Sequence, residues 1–288
     1  MSHEIRANYQ PRKDGKILIT GSAELTPWSK GVILQGHRAV EDVRIAATED
    51  GSGQHMVLAT RSRRGGIDRR QINIDFLRDA AAAYHISPDP RDYVFVSLPI
   101  VTAGVPNRNM DCFTHKELLR FSPIIGRRVY QTFIGKPTHQ NHKNQDPTKA
   151  KGIHLDATFR KYRVQPGSLG YDAQTEPVDL WKVRILTAWC REKDPELVKS
   201  ILRRERTGYS MGALVDYALC SLPWCGKVTT PQPCEHVAAG KGRVARGHIV
   251  YDRVYGVNFI ETSVLDEEPA DPDAWETDAI WSVGTEAA

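Results

Sequence analysis

Ser210 sits between two glycines in Gly208-Tyr209-Ser210-Met211-Gly212. Well upstream lies the histidine-rich run Gly135-Lys136-Pro137-Thr138-His139-Gln140-Asn141-His142. A serine hydroxyl is a poor nucleophile at neutral pH. It needs a neighbouring base to take its proton, and the base needs a third group to orient it. His142 and His139 both offer such a base. The Gly-x-Ser-x-Gly form also matches the serine elbow of α/β hydrolases, in which the serine opens a helix. Here it leads into Met211–Leu219, an apolar run of strand character, so the elbow reading is rejected. Gly212 permits close backbone approach, and N–H groups beside the serine could stabilise an oxyanion.

A second cluster has different chemistry. Cys220, Cys225, Cys234 and His236 follow the pattern Cys-x4-Cys-x8-Cys-x-His. Three soft thiolates and one imidazole suit tetrahedral zinc, and Cys225-Gly226 has the form of a zinc-knuckle turn. Four protein ligands leave no open position, so this zinc would be structural. The competing reading is a set of buried thiols packing as small apolar groups. Cys112 and Cys190 lie far away in sequence and read as buried thiols.

The elements that position these residues are mostly strands. Ile72–Tyr84 shows helical spacing through Ile74, Leu77, Ala81 and Tyr84. Pro88 and Pro90 then mark a boundary. Strand-like runs follow at Tyr93–Val101, Val129–Ile134, Gly152–Phe159, Val178–Trp189, Met211–Leu219 and Val254–Leu265, with a short helix at Lys116–Phe121. Two further runs, around Gly31–Leu34 and Met56–Thr60, precede the boundary. Asp194-Pro195-Glu196 is a strong helix start, and Gly208 is a natural stop. The pattern predicts an α+β chain: residues 1–90 as an N-terminal extension, 91–268 as a β-rich domain, and 269–288 as an acidic tail.

The chain has 288 residues, with 40% hydrophobic and 26% charged residues, ordinary values for a globular protein. Its N-terminus lacks the apolar core of a signal peptide, no segment is apolar enough to span a bilayer, and the cysteines do not form a disulfide framework. An intracellular protein is expected. The net charge of +4 is unevenly distributed. Arg61, Arg63, Arg64, Arg69 and Arg70 form a basic run, and eight acidic residues with no lysine or arginine occupy the chain from Asp266 onward. Both segments read as solvated unless they meet a charged partner.

An ordered set of motifs carries a family resemblance. It comprises Asn107-Arg108-Asn109-Met110-Asp111-Cys112-Phe113, Gly135-Lys136-Pro137 with Asn141-His142, Ala150-Lys151-Gly152-Ile153 and the Asp194-Pro195-Glu196 helix. Tyr209-Ser210-Met211-Gly212, Phe259-Ile260-Glu261-Thr262-Ser263-Val264 and Pro269-Ala270-Asp271-Pro272 complete it. The set resembles the tailed-bacteriophage prohead serine proteases (head maturation proteases), whose β-barrel-like fold is shared with herpesvirus assemblins. The first 90 residues lie outside it.

The resemblance implies an endopeptidase that cleaves capsid scaffold and head proteins, and itself, inside the prohead in the host cytoplasm. Self-association is expected; membrane and nucleic acid are not. It also implies an assemblin-like barrel carrying a Cys/His insertion at 220–236. By position Ser210 is the nucleophile, His142 the general base and Glu261 the third member. His236 is the rival for that third role, with Asp266 and Asp216 behind it, and His154 reads as structural. Assemblin-like enzymes use an arginine at the oxyanion, for which Arg243, Arg246 and Arg253 are candidates. Leu265-Asp266-Glu267 has the apolar-x-Glu form of a self-cleavage point. The alternative is a zinc-stabilised nucleic-acid-binding or structural head protein without protease activity.

Overall fold

The computed structural model describes residues 5–11, 17–23, 40–48, 50–61, 67–123, 125–164, 178–205, 208–267, 269–271, 274 and 279–282. The run around Gly31–Leu34, Arg63 and Arg64 lie outside them. In chain order come β1 (Ile5–Pro11), β2 (Ile17–Ala23), β3 (Val40–Ala47), β4 (Gln54–Arg61), β5 (Ile67–Asn73), α1 (Phe76–Tyr84) and β6 (Tyr93–Thr102). Next are β7 (Asp111–Phe113), α2 (His115–Leu119), β8 (Phe121–Ser122), β9 (Arg127–Arg128), β10 (Pro137–Gln140), β11 (Gly152–Val164) and β12 (Val178–Cys190). The chain continues with α3 (Pro195–Leu202), β13 (Tyr209–Val215), β14 (Tyr217–Cys220), α4 (Glu235–Ala238), β15 (Val244–Ala245), β16 (His248–Ile249), β17 (Asp252–Tyr255), β18 (Asn258–Val264) and β19 (Ala279–Ser282).

Nine strands form one sheet in the order β1-β2-β13-β18-β10-β11-β12-β6-β19. A barrel requires the two end strands to hydrogen-bond to each other. Among the described residues β1 pairs only with β2, and β19 only with β6. The described sheet is therefore open and does not close into the expected assemblin-like barrel. The chain is α+β and strand-rich, as its patterning indicates.

Several predicted strands change form. Val129–Phe133 is a 3-10 turn rather than a strand. The single strand expected over Met211–Leu219 is two, β13 and β14, which belong to different sheets. Val254–Leu265 also divides, at Gly256, whose φ of +66° suits glycine. A side chain there would meet Asp216, a Cβ lying 2.1 Å from its Oδ2. These two breaks turn the chain out of the main sheet into the three-stranded sheet β14-β17-β7, which carries the cysteine insertion.

Residues 1–90 enter the same architecture twice. The β1–β2 hairpin extends the main sheet through β2 against β13. Met56 of β4, Ile72 of β5, Ile74 just beyond it and Leu77 of α1 share a core with Tyr93, Phe95, Ile153 and Leu186. The larger core lies under β6, β12, β13 and β18 and includes Val96, Trp189, Tyr209, Met211 and Phe259. Phe133 stacks on Phe259 with ring centroids 4.1 Å apart. The α3 helix begins as its sequence dictates: Asp194 caps it by accepting the Leu197 N–H at 3.1 Å.

Candidate active site and metal site

Three adjacent strands bring the candidate residues together. Across β13 and β18, Ser210 faces Ser263 and Gly212 faces Glu261. On the other side of β18, His139 of β10 is level with Ser263. Directly opposed residues share a sheet face, so Ser210, Gly212, Glu261, Ser263 and His139 lie on one face. Uniform alternation would put Phe259 there as well. It does not, because one step on β13, Gly212 to Ala213, spans two on β18, Glu261 to Phe259. This bulge at Ile260 sends Phe259 to the core and leaves Glu261 on the site face.

His142 lies just beyond β10, and two left-handed residues fold it back: Asn141 at φ +50° and His142 at φ +54°. Such a conformation is uncommon for non-glycine residues and persists only where the surroundings hold it. Here β18 holds it. The Asn141 N–H donates to Val264 O at 3.0 Å, and the Asn141 side chain exchanges bonds with Asp266 at 2.6 and 3.0 Å. The His142 N–H donates to Ser263 Oγ at 3.0 Å.

The result is a buried imidazole–carboxylate pair. His142 Nδ1 lies 2.8 Å from Glu261 Oε1, and Ser263 Oγ donates to the other carboxylate oxygen at 2.8 Å. Burial acts to raise the Glu261 pKa. The positive charge available on His142, its hydrogen bond and that of Ser263 outweigh it, and the net effect holds Glu261 below its ordinary value. The carboxylate is thus ionised, which fixes the Nδ1–H tautomer of His142. Nε2 is then the nitrogen able to accept a proton.

Gly212 is needed for this arrangement. A Cβ at that position would stand 2.5 Å from Glu261 Oε1, so only glycine lets the carboxylate lie over the β13 backbone. Ser210 is 5% exposed. It lines a small pocket with Thr102, Asn107, Phe113 and Asp271. Ala270 and Asp271 also line this pocket, and their stretch of chain is held from both sides: Tyr209 N–H donates to Ala274 O at 2.8 Å, and Arg108 donates to Ala270 O at 2.8 Å and to Pro269 O at 2.9 Å.

The other candidates for the third role lie elsewhere. His236 is in the cysteine cluster, Asp266 is engaged by Asn141, and Asp216 sits at the Gly256 turn. His154 is on the opposite face of β18. Its Nδ1–H donates to Lys136 O and its Nε2 accepts from Thr262 Oγ1, both at 2.7 Å, and burial lowers its pKa to about 4. Both its nitrogens therefore serve the fold. Among the three arginines, Arg253 donates to Cys220 O at 3.1 Å and Arg246 lies over the Trp224 ring, both in the insertion. Arg243 is exposed there. In Leu265-Asp266-Glu267, Leu265 is buried and its N–H donates to Gly208 O, whereas Asp266 and Glu267 are exposed. Arg70 of the basic run pairs with Asp156. Residue-by-residue reading missed Ser263, although a serine two positions after Glu261 on a strand shares its face.

In the insertion, Cys220 ends β14, Cys225 lies in a turn closed by its N–H to Leu222 O at 3.0 Å, and Cys234 precedes α4, which contains His236. The four ligand atoms lie within 4.8 Å of one another. Cys225 Sγ and Cys234 Sγ are 3.8 Å apart. Tetrahedral zinc with Zn–S bonds of about 2.3 Å separates its sulfurs by about 3.8 Å, whereas a disulfide needs about 2.05 Å. His236 Nδ1 is buried and has no hydrogen-bond partner, a vacancy that metal ligation would fill. Burial opposes the Cys234 thiolate, yet the Val237 and His236 N–H groups and the neighbouring thiols outweigh it and lower its pKa. The donor set fits a metal ion and is compatible with structural zinc. All five cysteines are free, with Cys112 and Cys190 buried.

The Asn107–Phe113 motif connects the two sites. Asn107 accepts the Asp111 N–H at 3.0 Å. Lys241, from the insertion, sits between Asp111 and Asp252 at 2.7 and 3.1 Å. Compared with family models, curated proteins and solved structures, the chain gives no match. Among the described residues, no helix is long and apolar enough to cross a membrane.

Proposed function

We propose that the chain is a serine endopeptidase of the prohead maturation type, acting on capsid scaffold and head proteins and on itself. The observation that carries this reading is the 2.8 Å bond between His142 Nδ1 and the buried Glu261 carboxylate, on the sheet face that also presents Ser210. Glu261 holds the imidazole in its Nδ1–H form. Nε2 takes the Ser210 proton as Oγ bonds to the scissile carbonyl carbon, and the carbonyl π pair moves onto oxygen. The imidazolium, stabilised by Glu261, then protonates the leaving amine as the C–N bond breaks. Water adds to the acyl-enzyme with His142 again as base, releasing the acid and restoring Ser210.

The viral setting, the substrates and self-association follow from the ordered motifs rather than from the geometry. The zinc ion would anchor the insertion and take no part in the chemistry. A fluorophosphonate probe tests the reading directly. Covalent labelling of Ser210 that disappears in His142→Ala supports it; labelling unaffected by His142→Ala would reject His142 as the base. Incubation with scaffold protein should yield discrete fragments with wild type and none with Ser210→Ala.

A further inference from the structure

A second recess lies on the far side of the histidine loop. It is a cavity of about 260 Å³ lined by His139, Gln140, Lys143, Thr148, Lys149, Lys151 and Lys193. Four lysines converge on it. Lys151 pairs with Asp194 at 2.8 Å, and Lys149 reaches Asp146 only at 4.0 Å. Lys193 is held by two backbone carbonyls, His85 O at 3.1 Å and Thr148 O at 2.7 Å, and meets no carboxylate among the described residues. Lys143 has no ion pair there either. The wall thus carries about two positive charges more than its carboxylates balance.

His139 forms part of the same wall. It is 1% exposed, and neither ring nitrogen has a hydrogen-bond partner among the described residues. Burying an imidazole without partners is costly. Burial lowers its pKa, the Glu261 carboxylate raises it in part, and His142 and Lys151 lower it further.

We propose that this cavity is an oxyanion-binding site, taking one phosphate or carboxylate group against Lys143, Lys193 and the buried His139. A cavity of this size holds such a group with water to spare. An ammonium group held in place, as that of Lys193 is, binds an anion more strongly than a freely moving one, and the exposed Lys143 of the lining adds a second charge. Lys193 is already oriented by the two carbonyls, so it loses little side-chain freedom on binding. An anion here would stabilise the imidazolium form of His139, which is level with Ser263 of the neighbouring strand that also carries Glu261. Binding requires nothing of Ser210, so it can fail while the peptidase reading stands, and the reverse.

The experiment is calorimetric titration of the full-length protein with inorganic phosphate and, separately, acetate at matched ionic strength, alongside an NMR pH titration of the His139 imidazole. Saturable one-site binding is expected, with the His139 pKa raised by about one unit when the site is filled. Tighter binding of phosphate identifies a tetrahedral dianion as the preferred ligand; tighter binding of acetate identifies a planar carboxylate; equal binding supports a general oxyanion site. Lys143→Gln combined with Lys193→Gln should weaken binding at least about tenfold for the loss of two charge-assisted contacts. Lys161→Gln, which removes an exposed lysine outside the cavity that pairs with Asp179, should leave it unchanged. No saturable binding of either anion, or equal weakening in Lys161→Gln, overturns the assignment.

Discussion

The candidate catalytic face and the cysteine insertion are built on different physical terms. The first is fixed by strand register across β10, β18 and β13, over a core that includes Trp189, Tyr209 and Phe259. The second has a buried apolar cluster of only Cys220, Leu222, Cys234 and Val250, and its strands β15 and β16 are two residues each. So small a cluster cannot offset the entropy of ordering some thirty residues. A metal ion on the Cys/His cluster would hold the insertion in shape, whereas the candidate catalytic face is held by the sheet.

That contrast can be tested, beginning with the largest effect. Ser210→Ala should lower endopeptidase turnover by about 10⁵-fold and leave the urea midpoint unchanged. A shifted midpoint would make Ser210 part of the framework. Glu261→Gln presents the wrong hydrogen-bonding group to His142 Nδ1 and should cost about 10³–10⁴-fold. A smaller loss with an unaltered pH–rate profile would remove Glu261 from the third role.

His154 tests the framework beneath the site. Its folded pKa is about 4, depressed by burial, and its unfolded value is about 6.5. Between those values the unfolded chain binds a proton that the folded chain does not, so stability falls as pH drops through this window. The loss is about 3 kcal/mol, to be read from urea midpoints at pH 7 and pH 4. His139, also depressed by burial, adds in the same direction. His154→Gln should flatten the dependence, and an undiminished slope in that variant would place its origin elsewhere.

Gly212→Ala should displace the Glu261 carboxylate and reduce turnover by about 10²-fold, the cost of a misplacement of roughly an ångström. The smallest effect on turnover should come from the insertion. A chelator, or Cys234→Ser, should open residues 221–250 to limited proteolysis while the His142 imidazole resonances stay in place, and metal analysis should fall from one zinc per chain to none. Loss of the whole fold on chelation would show that the two regions depend on each other more than their separate cores indicate.

What the sequence made legible follows the same division. The Asp194 cap, the β6 and β12 strands and the clustering of Cys220, Cys225, Cys234 and His236 are encoded locally, by a capping residue, by alternation and by spacing, and all appear in the fold. The open sheet was not legible, because sequence patterning does not say whether distant end strands meet. Nor was the placement of Phe259, since alternation alone would have sent it to the face of Glu261, and only the bulge at Ile260 separates them. Val129–Ile134 reads as a strand by composition but forms a tight turn, its Phe133 being used to stack on Phe259.

The hydrogen bonds from Tyr209 and Arg108 to residues 269–274 have a kinetic meaning. A polypeptide approaching Ser210 along this edge of β13 meets a stretch of the chain's own backbone already paired there. On the proposed function, its entry would be an exchange in which the Tyr209–Ala274 bond is given up, and residues 269–271, held by Arg108, are displaced, before new bonds form. A small electrophile needs no such exchange, so its rate of reaction with Ser210 should be far less sensitive to deletion of residues 269–288 than the rate for a protein substrate.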